Sequence, residues 1–267
     1  MKKIFYLIAV CVLLLSACKK LSLVENSKYE TIAPGDPKYS YLKIINVTPS
    51  SPTINYFIDG IKFSAGLSST GTENAGYNYT TATSLFPDLG YATTTPGAHV
   101  LTGKIVAAAT ADGGLEVFNT PINPVAGKYY TIFTTGQYST ATKKIPSSLV
   151  IEDIKPALDT SKIFVRLINV LNGAPNLDLV RGDVATGPKL ISNVSYNASS
   201  NWAEIPTPGS GVAPVNKFIL VNSATGAAFT TSASLTFSKG RAYTIYIKGV
   251  LGNANFIPTI TTYTTFY

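Results

Sequence analysis

Two segments of the chain recur in the same order, and this repeat limits the possible folds more than any other feature. Residues 41–47 (YLKIINV) recur as residues 164–170 (FVRLINV), 123 positions later. Residues 127–132 (GKYYTI) recur as residues 240–245 (GRAYTI), 113 positions later. Solenoid repeats have periods of about 20–50 residues, so a period above 100 is typical of tandem globular domains. The sequence therefore predicts a duplicated domain whose two copies differ in loop length.

Both copies have the composition and spacing of short β-strands. Residues 54–59 (INYFID) and 129–134 (YYTIFT) are rich in β-branched and aromatic residues, and turn sequences such as 112–114 (DGG) separate the strands. Hydrophobic residues make up 45% of the chain, which is enough for packed cores. About seven strands per copy are typical of a sandwich. We expect an all-β protein of two tandem immunoglobulin-like antiparallel β-sandwich domains, residues 40–155 and 161–267.

The first eighteen residues have the features of a bacterial lipoprotein leader. Lys2 and Lys3 precede an apolar run of twelve residues, 4–15. As a helix this run would span about 18 Å, too short for the roughly 30 Å hydrocarbon core of a bilayer. The run ends in residues 15–18 (LSAC), which resemble a lipobox, so residues 1–17 are predicted to be a signal peptide. The predicted lipid attachment site is Cys18, with palmitate among the expected acyl groups; an ordinary cleavage site beside a cysteine is the alternative.

Residues 18–39 follow as a predicted flexible tether with the lipidated cysteine at its start. Lys19 stands where some lipoproteins carry the aspartate of inner-membrane retention, which favours the outer membrane and leaves its periplasmic or surface face open. Cleavage would remove Cys11, so no disulfide is expected, and the formal charge of +7 falls by two with Lys2 and Lys3. The remaining basic residues are scattered, which argues against a nucleic-acid partner. The expected membrane partner is the bilayer that holds the lipid anchor.

The repeated segments resemble a known family. Residues 42–52 (LKIINVTPSSP) lead into 54–60 (INYFIDG), which is similar to the opening of the domain-of-unknown-function family 4397, a VRVVHASPxAP stretch followed by a strand and a glycine. Residues 165–175 (VRLINVLNGAP) repeat this opening. A later family motif, GxxYThxhxG, is matched at residues 127–136 and 240–249. The resemblance spans residues 40–267 and implies a β-sandwich on an exported, often lipid-anchored, Bacteroidota-like protein of no known activity. Asn46 and Asn169 replace the usual histidine of the family.

Few residues offer catalytic chemistry. His99 is the only histidine of the chain, so no metal site, no cofactor and no serine triad is expected. Paired carboxylates can hydrolyse glycans without histidine or cysteine, which leaves a glycan-processing enzyme as an alternative. The carboxylates considered for this role are Asp59, Glu73, Asp88, Asp112, Glu116, Asp178, Asp183 and Glu204. Their spacing pairs no two of them, so we predict no catalytic residue.

Four aromatic residues are the candidate partner contacts: Tyr77, Tyr79, Tyr196 and Trp202. They lie in residues 64–98 and 181–215, where the two copies diverge most and where serine, threonine and asparagine are frequent. Aromatic faces among amides and hydroxyls suit sugars and protein surfaces, although sandwiches also bury such residues. We expect a non-enzymatic binding or structural module of the cell envelope for a glycan or an envelope protein. An accessory sugar-binding subunit is a further alternative.

Overall fold

The computed structural model describes residues 30–66, 71–80, 84–207 and 215–266. The predicted signal peptide, Cys18 and residues 18–29 of the predicted tether lie outside the described residues. The chain divides into two units, residues 1–34 and 35–267, and the second unit contains all eighteen named β-strands. In the described part of the chain, no helix has the length and apolar character needed to cross a membrane.

Sandwich 1 consists of the first nine strands, arranged in two sheets. The strands are β1 (Ser40–Asn46), β2 (Ile54–Ile58), β3 (Ile61–Lys62), β4 (Leu85–Phe86), β5 (Ala92–Thr94), β6 (His99–Ile105), β7 (Glu116–Ile122), β8 (Tyr129–Thr135) and β9 (Ser147–Glu152). One sheet has the order β4-β1-β8-β9, with β5 also paired to β1. The other sheet has the order β3-β2-β6-β7.

Sandwich 2 repeats this plan with the next nine strands. They are β10 (Lys162–Asn172), β11 (Leu177–Arg181), β12 (Lys189–Val194), β13 (Ala198–Ser199), β14 (Ala203–Pro206), β15 (Val215–Asn222), β16 (Ala233–Thr236), β17 (Ala242–Val250) and β18 (Thr259–Phe266). One sheet has the order β13-β10-β17-β18, with β14 also paired to β10, and the other has the order β12-β11-β15-β16. The prediction of an all-β chain with two tandem β-sandwiches is confirmed.

One strand pair in each sandwich is parallel, whereas the other named pairs are antiparallel. β1 runs parallel to β8, with Ile44 opposite Ile132, and β10 runs parallel to β17, with Leu167 opposite Ile245. These four strands include most residues of the repeated sequence segments. Strands buried on both faces have nearly continuous hydrophobic sequences, which is the character of these segments.

A tight hairpin between β2 and β3 illustrates how local sequence sets the turns. Asp59 and Gly60 both have positive φ angles, 50° and 83°. An Asp-Gly pair is the usual occupant of a two-residue hairpin loop whose central residues are left-handed, because glycine has no Cβ to clash. The turn therefore fixes the register of Phe57 opposite Lys62.

The two sandwiches share a buried layer, here called the inter-sandwich core. It contains Ile45, Val47 and Phe133 from sandwich 1 and Ile168, Val170, Tyr246 and Tyr263 from sandwich 2. Each sandwich also has its own core: Leu42 and Ile44 point into the first, and Leu167 into the second. Alternate residues of β1 thus face opposite ways, and both faces are covered. The four sheets form a stack in which the β1 and β10 sheets are the two inner layers.

Candidate functional site

Tyr77 lies in the core of sandwich 1. Tyr77 is 2% exposed, and its ring contacts those of Tyr56 and Phe86 at centroid distances of 6.0 and 5.5 Å. Its backbone N–H donates to the carbonyl of Ile54 at 2.8 Å. The ring is therefore unavailable to a partner, and the packing alternative holds for this residue.

Tyr79 and Tyr196 lie at the junction of the two sandwiches. The Lys248 ammonium donates to the Tyr79 carbonyl at 2.7 Å and lies 4.4 Å from the centroid of the Tyr79 ring. The Tyr196 hydroxyl hydrogen-bonds with the Thr135 side chain. Because Thr135 and Lys248 are separated by the repeat offset of 113, the two tyrosines contact equivalent positions of the two copies. Each tyrosine contacts the sandwich to which it does not belong.

Trp202 in sandwich 2 and Tyr91 in sandwich 1 occupy equivalent positions, and a cationic side chain lies against each ring. The Arg166 guanidinium carbon lies 4.8 Å from the Trp202 ring, and the Lys43 ammonium lies 5.7 Å from the Tyr91 ring. Lys43 and Arg166 are separated by the other repeat offset, 123. The Trp202 indole N–H also donates to the Ile154 carbonyl at 2.8 Å. These contacts fix the plane of the indole at the edge of the junction.

A buried ion pair crosses the junction. Asp153, between β9 and β10, pairs with the Arg166 guanidinium, and both side chains are at least 97% buried. The Asp153 carboxylate also accepts hydrogen bonds from Thr131 at 2.6 Å and from Tyr91 at 2.8 Å. Arg166 donates through Nε to Thr244 at 2.8 Å. The carboxylate and the guanidinium therefore replace lost water with several protein partners, as buried charges must.

Two lysines at the same junction have altered acid–base properties. Burial lowers the pKa of Lys43 to about 8 and that of Lys248 to about 8, because an ammonium is less stable away from water. Lys43 donates to the Pro87 carbonyl at 2.6 Å, just as Lys248 donates to Tyr79. Their contacts are with carbonyls and aromatic rings, which suits a structural role in the junction.

An open cleft of about 500 Å³, here called the Trp202 cleft, lies at one side of sandwich 2. It is bounded by β12, at the edge of one sheet, and by β13 and β14, at the edge of the other. Its lining residues are Leu190, Ile191, Ser192, Asn193, Val194, Ser195, Ala198, Ser199, Ser200, Asn201, Trp202 and Ala203. A volume of this size is within the usual range for small-molecule sites.

Three polar side chains of the Trp202 cleft are free to bind a ligand. Ser192, Ser195 and Asn201 are exposed, and their side chains form no hydrogen bond with other described residues. Ser200, in contrast, accepts a bond from the Leu167 N–H at 3.0 Å. The cleft therefore combines an indole of fixed orientation with two free hydroxyls and one free amide.

The corresponding place in sandwich 1 is filled with aromatic side chains. Phe86 pairs with Ile44, and Ser200 bonds to Leu167, so Phe86 and Ser200 are equivalent in the two copies. The Phe86 ring meets that of Phe63 edge to face, with centroids 5.4 Å apart. Aromatic packing thus closes in sandwich 1 the gap that stays open in sandwich 2.

The candidate carboxylates are dispersed over both sandwiches and mostly paired with cations; Asp178 is buried, whereas the other paired carboxylates are at least partly exposed. The ion pairs are Asp59 with His99, Glu73 with Lys62, Asp112 with Lys143, Asp178 with Lys189, Asp183 with Lys217 and Glu204 with Lys162. None of the eight candidate carboxylates lines the Trp202 cleft.

His99 has a structural place at the start of β6. Its Nδ1 lies 2.6 Å from the Asp59 carboxylate and its Nε2 lies 2.9 Å from the Thr95 carbonyl. The hydrogen bond to Asp59 raises the pKa of His99. Within the described residues no three potential ligands among histidine, cysteine, aspartate and glutamate come together as a metal site.

Sequence reasoning located the segment of the cleft but not its polar groups. Trp202 and residues 181–215 were both predicted as candidates, whereas Ser192, Ser195 and Asn201 were not. Small polar residues give little signal, because the same residue types are common wherever a chain turns. The candidate lipid site Cys18 lies outside the described residues.

Similar solved structures were found, but at low similarity. A family-26 carbohydrate-binding module from Eubacterium rectale, solved with maltoheptaose, has 14% identity and a TM-score of 0.25, covering 84% of this chain and 97% of that one. A candidate cell adhesion protein from Bacteroides fragilis has 10% identity and a TM-score of 0.25, covering 85% and 98%. Another from Bacteroides uniformis has 8% identity and a TM-score of 0.24, covering 86% and 99%. TM-scores this low carry no argument about function.

The sequence itself has a match among family models. No curated protein matches the chain. A family model does match residues 40–180, which include all of sandwich 1, β10 and all but the last residue of β11. This match covers more than half of the chain. The chain therefore belongs to the family described as Domain of unknown function (DUF4397).

Proposed function

We propose that this chain is a non-enzymatic, lipid-anchored protein of the cell envelope that binds a glycan in the Trp202 cleft. The leader would direct export, Cys18 would carry the lipid, and the tether would hold the two sandwiches away from the membrane. Lys19, which stands where an aspartate would signal inner-membrane retention, supports an outer-membrane location, on either face.

The arrangement around Trp202 is the observation on which the glycan assignment depends. Sugars present hydroxyl groups around their edge and C–H groups on their faces, so they suit a flat aromatic ring bordered by hydrogen-bonding side chains. Trp202 supplies the ring, and its N–H is already satisfied by Ile154. Ser192, Ser195 and Asn201 supply exposed polar groups beside it.

A binding role is better supported than a catalytic one. Glycoside hydrolysis needs two carboxyl groups roughly 5–10 Å apart across the bound sugar. The described lining of the cleft contains no carboxylate, and most of the candidate carboxylates are neutralised by nearby cations. The glycan-processing alternative therefore has no site here, while an accessory sugar-binding role agrees with the proposal.

The glycan assignment is tested by removing one free amide. Asn201→Ala should weaken binding about 3- to 10-fold, the loss expected for one hydrogen bond, without changing the melting temperature. Affinity is measured with a glycan array followed by titration of the best ligand. The control is Ser234→Ala, which removes an exposed hydroxyl from β16, at the far edge of the sheet whose near edge, β12, borders the cleft. Absence of binding to any glycan, or equal effects of both variants, would contradict the proposal.

The anchoring assignment is tested at Cys18. Cys18→Ser removes the thiol that accepts the lipid, so the variant should accumulate as an uncleaved precursor or as soluble protein. Membrane and soluble fractions are compared by immunoblotting, with the wild-type chain as the control. Processed Cys18→Ser protein that still sediments with membranes would show that the lipobox interpretation is wrong.

A further inference from the structure

We infer that the Trp202 cleft selects neutral glycans over anionic ones, and that each chain carries one such site. This inference rests on the proposed glycan binding and adds the class of sugar. Its basis is the distribution of charge in and around the cleft, together with the difference between the two copies.

The described lining of the cleft is uncharged. Its twelve residues are aliphatic residues, serines, asparagines and one tryptophan. Charged side chains on the flanking strands are held in ion pairs: Lys189 with Asp178 at 2.7 Å, Glu204 with Lys162 at 2.6 Å, and Arg166 with Asp153. Arg166 is also buried behind the indole ring. No lining residue among those described offers an unpaired cation to a bound ligand.

This electrostatic environment opposes anionic sugars. A carboxylate or sulfate placed in the cleft would lose part of its hydration and gain no opposite charge, which is unfavourable. The hydroxyls of a neutral sugar lose less hydration and find partners of matching polarity in Ser192, Ser195 and Asn201. The cleft therefore disfavours anionic sugars because it lacks a cation, and it favours neutral sugars because it supplies hydroxyl and amide groups.

The comparison of the two copies limits the number of sites. In sandwich 1 the equivalent position is occupied by Phe86, whose ring packs against those of Phe63 and Tyr77. Sandwich 2 has Ser200 at the same position, next to the open cleft. The expected stoichiometry is therefore one glycan per chain.

The single tryptophan of the chain makes the site directly observable. The full chain, in detergent and about 0.15 M salt, is titrated with neutral oligosaccharides (glucans, mannans and xylans) and with length-matched oligogalacturonates and sulfated oligosaccharides, while Trp202 emission is recorded. The best neutral ligand should bind at least tenfold more tightly than any anionic one, with one site per chain. An anionic ligand within tenfold, or two sites per chain, would overturn the inference and leave glycan binding intact. If no sugar binds, both proposals fail.

A charge placed in the cleft provides the reciprocal test. Ser195→Lys should reduce the preference for neutral over anionic ligands by about tenfold, because it supplies the missing cation at an exposed position. Ser234→Lys adds the same charge at the opposite edge of the sheet and serves as the control. The control should leave the preference unchanged. An equal shift in both variants would mean that net charge determines the selectivity, which would overturn the inference.

Discussion

Asp153 forms a buried ion pair with Arg166 at the junction of the two sandwiches. Its buried carboxylate faces the Arg166 guanidinium and accepts hydrogen bonds from Thr131 and Tyr91. Replacing a buried ion pair with apolar residues can be neutral, but removing one partner leaves the other charge unpaired. The pair is therefore sensitive to single substitutions even though its net contribution to stability is small.

Asp153→Asn should lower the free energy of unfolding by about 3–5 kcal/mol, since it leaves the Arg166 charge buried without a counter-ion. Urea denaturation at pH 7 measures the loss. Asp183→Asn is the matched control, because Asp183 pairs with Lys217 at 3.0 Å where both side chains are at least half exposed. The control should unfold close to the wild-type midpoint. A loss for Asp153→Asn no larger than that of the control would mean that Arg166 tolerates the loss of its counter-ion, contrary to this prediction.

At the scale of elements, equivalent strands meet in an interface of approximate two-fold symmetry. Lys248 contacts Tyr79 as Thr135 contacts Tyr196, and cation–aromatic pairs occur at Lys43 and Arg166. In a two-fold interface the same surface is used by both partners, which is the arrangement of most homodimers. The tandem copies thus pack within one chain as the subunits of a dimer pack between chains.

The edge strands explain why the two copies differ in their surface. In each sandwich the edges of the two sheets face each other at the equivalent place. In sandwich 1, aromatic side chains around Phe86 fill the space between these edges, whereas sandwich 2 has small polar residues there. Loss of packing at one edge strand is compatible with folding because the rest of the sandwich 2 core is intact. A binding site can therefore differ between copies that share one architecture.

At the scale of the whole molecule, the domain boundaries predicted from the sequence lead to an expectation about the two halves expressed separately. Residues 40–155 and 161–267 contain complete sandwiches with separate cores, so each should fold alone. Each isolated half would also expose its share of the inter-sandwich core, including Phe133 on one side and Tyr246 on the other. An exposed apolar face of this kind favours association.

The two halves, expressed separately, should each give a cooperative melt with β-type circular dichroism, and they should form a one-to-one complex when mixed. Analytical ultracentrifugation measures the association. Phe133→Glu in the first half is the control, because it places a charge at the inter-sandwich core and should abolish the complex while the half stays folded. Two halves that are both unfolded alone would indicate a single interleaved fold.

Local sequence was sufficient for much of the fold. The repeat at 123 and 113 residues predicted the duplication, and β-branched and aromatic runs predicted most strands. Asp59-Gly60 forms its hairpin turn locally, because that pair tolerates left-handed backbone angles. The side chains of Asn46 and Asn169 each accept a hydrogen bond from the backbone N–H two residues later, of Thr48 and Leu171, as asparagine commonly does in turns. Such features are determined by neighbours in the chain, so a single sequence reveals them.

Long-range contacts could not be predicted from the sequence in the same way. Residues 41–47 are mostly apolar on both faces, but alternation along a strand identifies two faces without identifying what covers each of them. Only the tertiary structure placed sandwich 2 against one face, and so turned Tyr79 and Tyr196 toward the other copy. The hydrophobic effect is non-directional, so an aromatic residue gains equally from burial in a core, a junction or a partner. The sequence by itself determined the strands, the turns and the duplication; the packing of the sheets decided which aromatics are buried and left the cleft beside Trp202 open.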